Sequence, residues 1–342
     1  MRFENRAKRA PDFLLFLTVL SLLAIGLVMV FSASEYAALV RFNDPFYFFK
    51  RQLLYSLLGL GVMFYFLNQN YRKFKNLAGW LLGLSFLLLL LVLLPGVGHV
   101  SHGAQRWLKL GSLTVQPSEI VKFGIVVFTA WGLGRLPAGV RRGREVIPYL
   151  FITAGAALLI LLQRDLGTAM ALAGTILVML FCAGAPLPVL GLASLGGMVA
   201  GLAAIYRESY RWRRLMAFID PWKDPQASGF HIIQSLYAIG SGGLFGVGLG
   251  QGKQKFLYLP EQHTDFIFAV IGEELGFIGG ALVILLFAIF VWRGIRIALY
   301  APDTFGSLLA AGITAGIALQ AFVNIGVVTG SLPVTGIPLP LI

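Results

Sequence analysis

Phe13-Leu-Leu-Phe-Leu-Thr-Val-Leu-Ser-Leu-Leu-Ala-Ile-Gly-Leu-Val-Met-Val-Phe31 runs for nineteen residues without a charged side chain. A stretch of about 18 or more apolar residues is long enough to cross a bilayer as a helix. It follows a basic segment, residues 1–12. A cleavable secretory signal has a shorter apolar stretch and small residues at the cut. Ser32-Ala33-Ser34 is small, yet the run before it is long enough to span, so an uncleaved first helix extending over 13–33 is expected.

Further apolar runs lie at 52–67, 77–94, 120–133, 147–162, 168–183, 187–205, 266–292 and 305–328. A tenth would have to begin near Pro340, two residues before the final Ile342. The expected fold is all-α: a polytopic integral membrane helix bundle of about ten transmembrane helices, the tenth truncated at the C-terminus. Residues 206–265 form a large extracellular loop before the eighth helix. Composition agrees, with 58% hydrophobic and 12% charged residues. A soluble domain carries about 25% charged residues.

The chain has 27 Lys and Arg against 15 Asp and Glu. In a membrane protein such an excess reads as basic loops at the cytoplasmic ends of helices, so nucleic acid is not an expected partner. With the N-terminus cytoplasmic, the inside loops hold Arg2, Arg6, Lys8 and Arg9, then Arg72, Lys73 and Lys75. Arg135, Arg141, Arg142 and Arg144 follow, then Arg293 and Arg296. The outer segment 206–265 is also basic, with Arg207, Arg211, Arg213, Arg214, Lys223, Lys253 and Lys255. An anionic partner at the outer face or plain attraction to lipid headgroups would each account for this. The lone Cys182 excludes an internal disulfide or thiolate metal site.

Five clusters carry chemistry. Leu259-Pro-Glu-Gln-His-Thr-Asp265 stands directly before a spanning run, bringing Glu261, His263 and Asp265 together. Asp265 falls where a helix cap falls. Its other reading is a partly desolvated carboxylate with a raised pKa, suited to a general base. Glu273 and Glu274 lie roughly 12–14 Å further along the axis, and acids at that depth face a cavity or a partner.

Gly103-Ala-Gln-Arg-Trp-Leu-Lys-Leu-Gly111 supplies Arg106, Trp107 and Lys109, and Gln116-Pro-Ser-Glu-Ile-Val-Lys122 supplies Glu119 and Lys122 on one helix face. Trp107 reads as a membrane-belt residue, and Arg106 and Lys109 as phosphate ligands. Gln163-Arg-Asp-Leu-Gly-Thr168 places Asp165 either as a helix cap or facing an external cavity. Gly240 to Gly252 lacks the Lys-Ser/Thr of a P-loop, leaving a hinge or backbone amides around an anion. From Asn324 to Pro340, glycine and proline break the helix, as tolerated where backbone lines a cavity. Neither HExxH nor CxxC occurs.

Together Ala238 to Gly252, Leu259 to Phe268, Gly330-Ser-Leu-Pro-Val-Thr-Gly336, Gly103 to Leu108, Gln116 to Glu119 and Asp165 to Thr168 resemble the SEDS family (RodA, FtsW, SpoVE). The likeness runs from the first helix to the end and looks nearer the RodA branch. Arg164 departs from the family's usual proline. The chain also ends before the family's Ser-Tyr-Gly-Gly-Ser-like stretch.

The resemblance implies one SEDS-type transmembrane domain over 1–342 in the bacterial cytoplasmic membrane. It implies a peptidoglycan glycosyltransferase that polymerises lipid II with inversion during cell elongation. Asp265 would be the general base, and basic residues would stabilise the undecaprenyl pyrophosphate leaving group. Arg106, Trp107, Lys109, Glu119, Lys122, Asp165, Glu261, His263 and Lys253 would bind substrate, with room for a divalent cation. Implied partners are lipid II, the undecaprenyl-pyrophosphate-linked glycan, a class B penicillin-binding protein and other elongation-machinery membrane proteins. Two rival readings are a lipid II flippase or transporter, and a non-catalytic scaffold for a penicillin-binding protein.

Overall fold

The computed structural model describes residues 11–342 except 96, 102–103, 111–112, 137–138, 141 and 257–258. The loop cations Arg2, Arg6, Lys8, Arg9 and Arg141, and the motif ends Gly103 and Gly111, lie outside the described residues.

Aspartates open three of the long helices, each accepting a bond from a first-turn amide that has no partner within its own helix. Asp12 Oδ1 accepts from Leu15 N at the start of α1 (Phe13–Phe42). Asp165 Oδ1 accepts from Thr168 N at α6 (Leu166–Cys182). Asp303 Oδ1 accepts from Gly306 N at α12 (Thr304–Val328). The other helices of the first part are α2 (Tyr47–Leu67), α3 (Lys73–Leu93), α4 (Pro117–Leu133), α5 (Ile147–Leu162) and α7 (Leu187–Arg207). They follow the expected runs closely, because apolar length alone sets where a lipid-facing helix stops.

Among the described residues, six helices are long and apolar enough to cross a membrane: α1, α3, α5 with its preceding turn, α7, α11 (Gly276–Leu299) and α12. The expected count of about ten counted shorter or more polar helices as well. Among these, α4 and α6 each have 17 residues, and α2 carries Lys50 and Arg51 near its start.

Three features differ from the expectation. First, the run 266–292 is broken into α10 (Ile267–Glu274) and α11. The break falls at Gly276, whose φ of +66° a side chain resists. Second, the 206–265 segment holds two helices, α8 (Ser209–Ile219) and α9 (Phe230–Gly242). Third, the chain is not wholly α. An antiparallel sheet of β1 (Gly98–Ser101), β2 (Ala104–Leu110) and β3 (Leu113–Val115) follows α3, in the order β1-β2-β3.

Two apolar cores hold the bundle. One joins α3, α4, α5, α6 and the start of α12 through residues such as Leu89, Ile125, Ile176 and Phe305. The other joins α1, α10, α11, the end of α12 and the tail through Met29, Phe266, Val283 and Leu339. Ion pairs tie one end of the bundle: Arg293 to Asp12, and Arg72 and Lys75 to Asp303 at 3.0 and 3.7 Å. The sheet, α8 and the turn before α10 sit at the opposite end.

Candidate functional site

Several elements bring charge to the sheet-bearing end. Residues alternate faces along a strand, so the neighbours Arg106 and Trp107 on β2 point to different places. The Arg106 guanidinium donates to the carbonyls of Gln163 (3.4 Å) and Arg164, and pairs with Asp165 Oδ2 at 3.6 Å. Gln116 Nε2 also donates to Asp165 Oδ2, at 3.4 Å. Asp165 is therefore a buried cap of α6 and an anchor for Arg106 and Gln116. Arg164 takes a left-handed φ of +63°, a conformation closed to the proline expected there.

Asp265 is not a cap. The residue at the start of α10 is Phe266, and no side chain caps that helix. The turn is closed instead by Glu261, whose carbonyl accepts from Thr264 N and Phe266 N at 3.2 Å. The Asp265 carboxylate is partly exposed. It faces Gly336, where an added Cβ would lie 3.5 Å from Oδ2. Burial, reinforced by the charge of Glu261, pushes its pKa up to about 6 against the opposing pull of Arg214 and Arg106. Arg214 comes from α8, donates to the Val334 carbonyl at 3.2 Å and lies over the Tyr210 ring at 4.4 Å.

A cavity of about 640 Å³ adjoins the same turn, lined by Trp107, Gln116, Glu119, His263, Thr264 and Gln320, among others. That volume suits a small-molecule-sized group. His263 packs on Phe48 with centroids 4.4 Å apart, and burial holds its imidazole below the usual range. Lys122 reaches the cavity edge by pairing with Glu119 at 2.9 Å and donating to Gln320 Oε1 at 2.7 Å.

The remaining expected residues fall elsewhere. Lys109 is exposed on β2. Lys253 is not near Asp265: its amide donates to Glu273 Oε1 at 2.7 Å, at the far end of α10. Eight helical residues separate the two places by about 12 Å. Lys255 is buried against Glu274 at 3.1 Å and Ser32 at 3.3 Å. Arg211 is used up on the carbonyls of Leu161 and Ala204, both at 3.1 Å. The glycine-rich loop does cradle an anion, but it is the protein's own: amides of Gly250 and Gly252 donate to Glu274, and those of Lys253 and Gln254 to Glu273.

Gln320 and the side chain of Asn324 join the site beyond the residues the sequence singles out. Both hold the chain around Asp265, and their signal was visible: two amides one turn apart in an apolar helix. Among the described residues, no three His, Cys, Asp or Glu side chains gather to hold a metal.

Comparison with known proteins matches the motifs. Stage V sporulation protein E of Bacillus subtilis is 50% identical over 341 residues, covering 98% of this chain and 92% of that protein. A probable peptidoglycan glycosyltransferase FtsW of Geobacter metallireducens is 42% identical, covering 97% and 88%. The Thermus thermophilus rod shape determining protein RodA superposes with a TM-score of 0.70 at 30% identity, over 96% of this chain and 89% of that one. A chain from a peptidoglycan synthase complex that coordinates polymerization and crosslinking superposes at 0.78 and 32%, over 96% and 90%. Relatives by sequence thus include SpoVE and FtsW, and structural neighbours include RodA. The cell cycle protein model for FtsW, RodA and SpoVE matches residues 12–342, and the chain belongs to that family.

Proposed function

We propose that this protein is a peptidoglycan glycosyltransferase that polymerises lipid II at the outer face of the bacterial cytoplasmic membrane, acting as one transmembrane unit over 1–342. The environment of Asp265 carries the reading. It is a carboxylate free of its own helix, pushed up to about 6 and flanked by Arg214 and Arg106. A general base works best when its pKa lies near the operating pH.

The acceptor sugar hydroxyl gives its proton to Asp265, and its oxygen attacks the anomeric carbon of the donor glycan. The bond from that carbon to the undecaprenyl pyrophosphate oxygen breaks, and the pyrophosphate leaves with the electron pair. One displacement inverts the centre, so no covalent sugar intermediate is needed. Arg214 stabilises the departing charge, and Arg106, anchored on the 163–165 turn, adds to the local positive potential. Trp107, His263 and Glu119 line the adjoining cavity and suit a sugar headgroup, which an aromatic ring and a carboxylate hold from two sides.

Loop charge supports the orientation. The end opposite the site carries Arg72, Lys73, Lys75, Arg135, Arg142, Arg144, Arg293 and Arg296, and short basic loops stay in the cytoplasm. A flippase needs polar groups along a whole path, whereas the charged side chains described here gather mainly at the two ends, and the deeper Lys255, Glu273 and Glu274 are tied up within the protein. A pure scaffold would leave the uncapped Asp265 without a role. The structural relative in a synthase complex supports a class B penicillin-binding protein as partner.

The test supplies lipid II to the protein purified with its partner, with any polymerase activity of the partner blocked. Asp265→Asn is expected to abolish glycan chains without lowering the melting temperature. Chains made at the wild-type rate by that variant overturn the assignment.

A further inference from the structure

We propose that Asn324 is the positioning residue of this site: from α12 it clamps the Asp265 turn onto the segment 335–340, so that the carboxylate is presented over Gly336. The inference rests on the reading of Asp265 as the base.

Asn324 is buried in the last third of α12. Its Nδ2 donates to two carbonyls from distant parts of the chain, Asp265 O at 2.7 Å and Ile337 O at 2.8 Å. An amide nitrogen has two N–H groups, and both are used. Two carbonyl oxygens facing the side chain fix its orientation, because a flipped amide would set oxygen against oxygen. The Oδ1 atom then finds no partner and is buried. Native structures keep few such orphaned atoms, so the pair of donated bonds is what holds an asparagine here.

Gln320, one turn earlier on the same face, repeats the arrangement. Its Nε2 donates to the Pro338 carbonyl at 3.2 Å while Oε1 accepts from Lys122. Two amides of one helix thus grip the segment that forms the floor under Asp265. Gly336 has a φ of +76° and lies in contact range of Oδ2. The charged groups acting on the carboxylate are Glu261 of its own turn, Arg214 from α8, Arg106 from β2 and Asp165 at the start of α6. Their spacing to the carboxylate depends on the same clamp.

Without the clamp the turn and its floor part, and water reaches the carboxylate. Asn324→Ala is expected to lower kcat about 10- to 100-fold, the loss typical of a misplaced catalytic group. The KM for lipid II stays within about twofold, since the Trp107 and His263 wall is untouched, as expected for an interaction made only in the transition state. The acidic limb of the pH profile moves below its wild-type position. Asn324→Asp is a second variant: its carboxylate repels the two carbonyls when ionised and donates one bond when protonated. Its activity relative to wild type is expected to rise several-fold between pH 8 and pH 5.5.

Wild-type kcat and acidic limb in Asn324→Ala overturn the proposal. Should that variant fail to fold, a pH-independent activity ratio for Asn324→Asp overturns it. Asp265→Asn, assayed alongside, separates the two levels. If it polymerises normally, the base assignment falls and this inference falls with it. If it is inactive while Asn324→Ala behaves as wild type, the positioning role alone is lost.

Discussion

At Asp265, residue type and position allow two uses, a helix cap or a base. The backbone decided between them: a left-handed Glu261, φ +53°, closes the turn and moves the cap position to Phe266. The two uses predict opposite stabilities. A carboxylate with a folded pKa raised above its usual 3.8 contributes stability while protonated and loses it as pH rises through about 6. Asp265→Asn should therefore be neutral or stabilising at pH 8, by up to about 1–3 kcal/mol at 1.36 kcal/mol per unit, with the gain fading by pH 4. Thermal unfolding of the solubilised protein at the two pH values checks this, and a lower melting temperature at pH 8 restores the cap. Arg214→Met removes a charge that pulls the Asp265 pKa down. Its acidic limb should move up, and turnover should fall about 10- to 100-fold if the guanidinium meets the leaving group. An unchanged limb would separate Arg214 from the site.

The break between α10 and α11 and the loop wrapped around it form the element that periodicity could not reveal. Glycine, glutamate and leucine at 272–276 read as helix, yet Gly276 sits at positive φ, with an added Cβ 2.3 Å from Gly246 N. Gly276→Ala should cost more than the roughly 0.5–1 kcal/mol that alanine gains in a helix, and expression is expected to collapse. On α7, an added Cβ at Gly197 meets nothing within 4 Å, so Gly197→Ala should leave the melting temperature equal or higher. The same stability assay reads both, and equal behaviour would refute the steric account. The buried Lys255–Glu274 pair gives a second comparison. Lys255→Met alone strands a buried charge and should cost about 3–5 kcal/mol, while adding Glu274→Gln should recover much of it. A double variant no better than the single would show the pair is not coupled.

The whole molecule is a bundle whose loop charge lies at its two ends, apart from the buried Lys255–Glu274 pair and Glu273, and that distribution carries the proposed orientation. In a Cys182→Ser background, Lys223→Cys on the loop before α9 should react with a membrane-impermeant thiol reagent in intact cells. Arg144→Cys should react only after permeabilisation. The reverse pattern would invert the bundle and place the site in the cytoplasm.

Apolar length determined most of the membrane architecture directly, because hydrogen bonding in lipid leaves a long apolar run little choice but helix. The same reading placed Asp265 and Asp165 at one end, since each sits beside a helix terminus, and Arg106 with them, in a segment between two spanning runs. Whether those residues meet was not local information. The sheet that carries Arg106 came from a short segment with no long apolar period. Lys253 and Lys255 look equivalent to Arg214 as cations, and only folding set the Lys253 amide on Glu273, paired the Lys255 ammonium with Glu274 and sent Arg214 toward Asp265. Contacts between segments far apart in sequence, such as Asn324 with Asp265 and Ile337, depend on how helices pack, and packing is fixed by shape complementarity across the bundle rather than by the pattern along one helix.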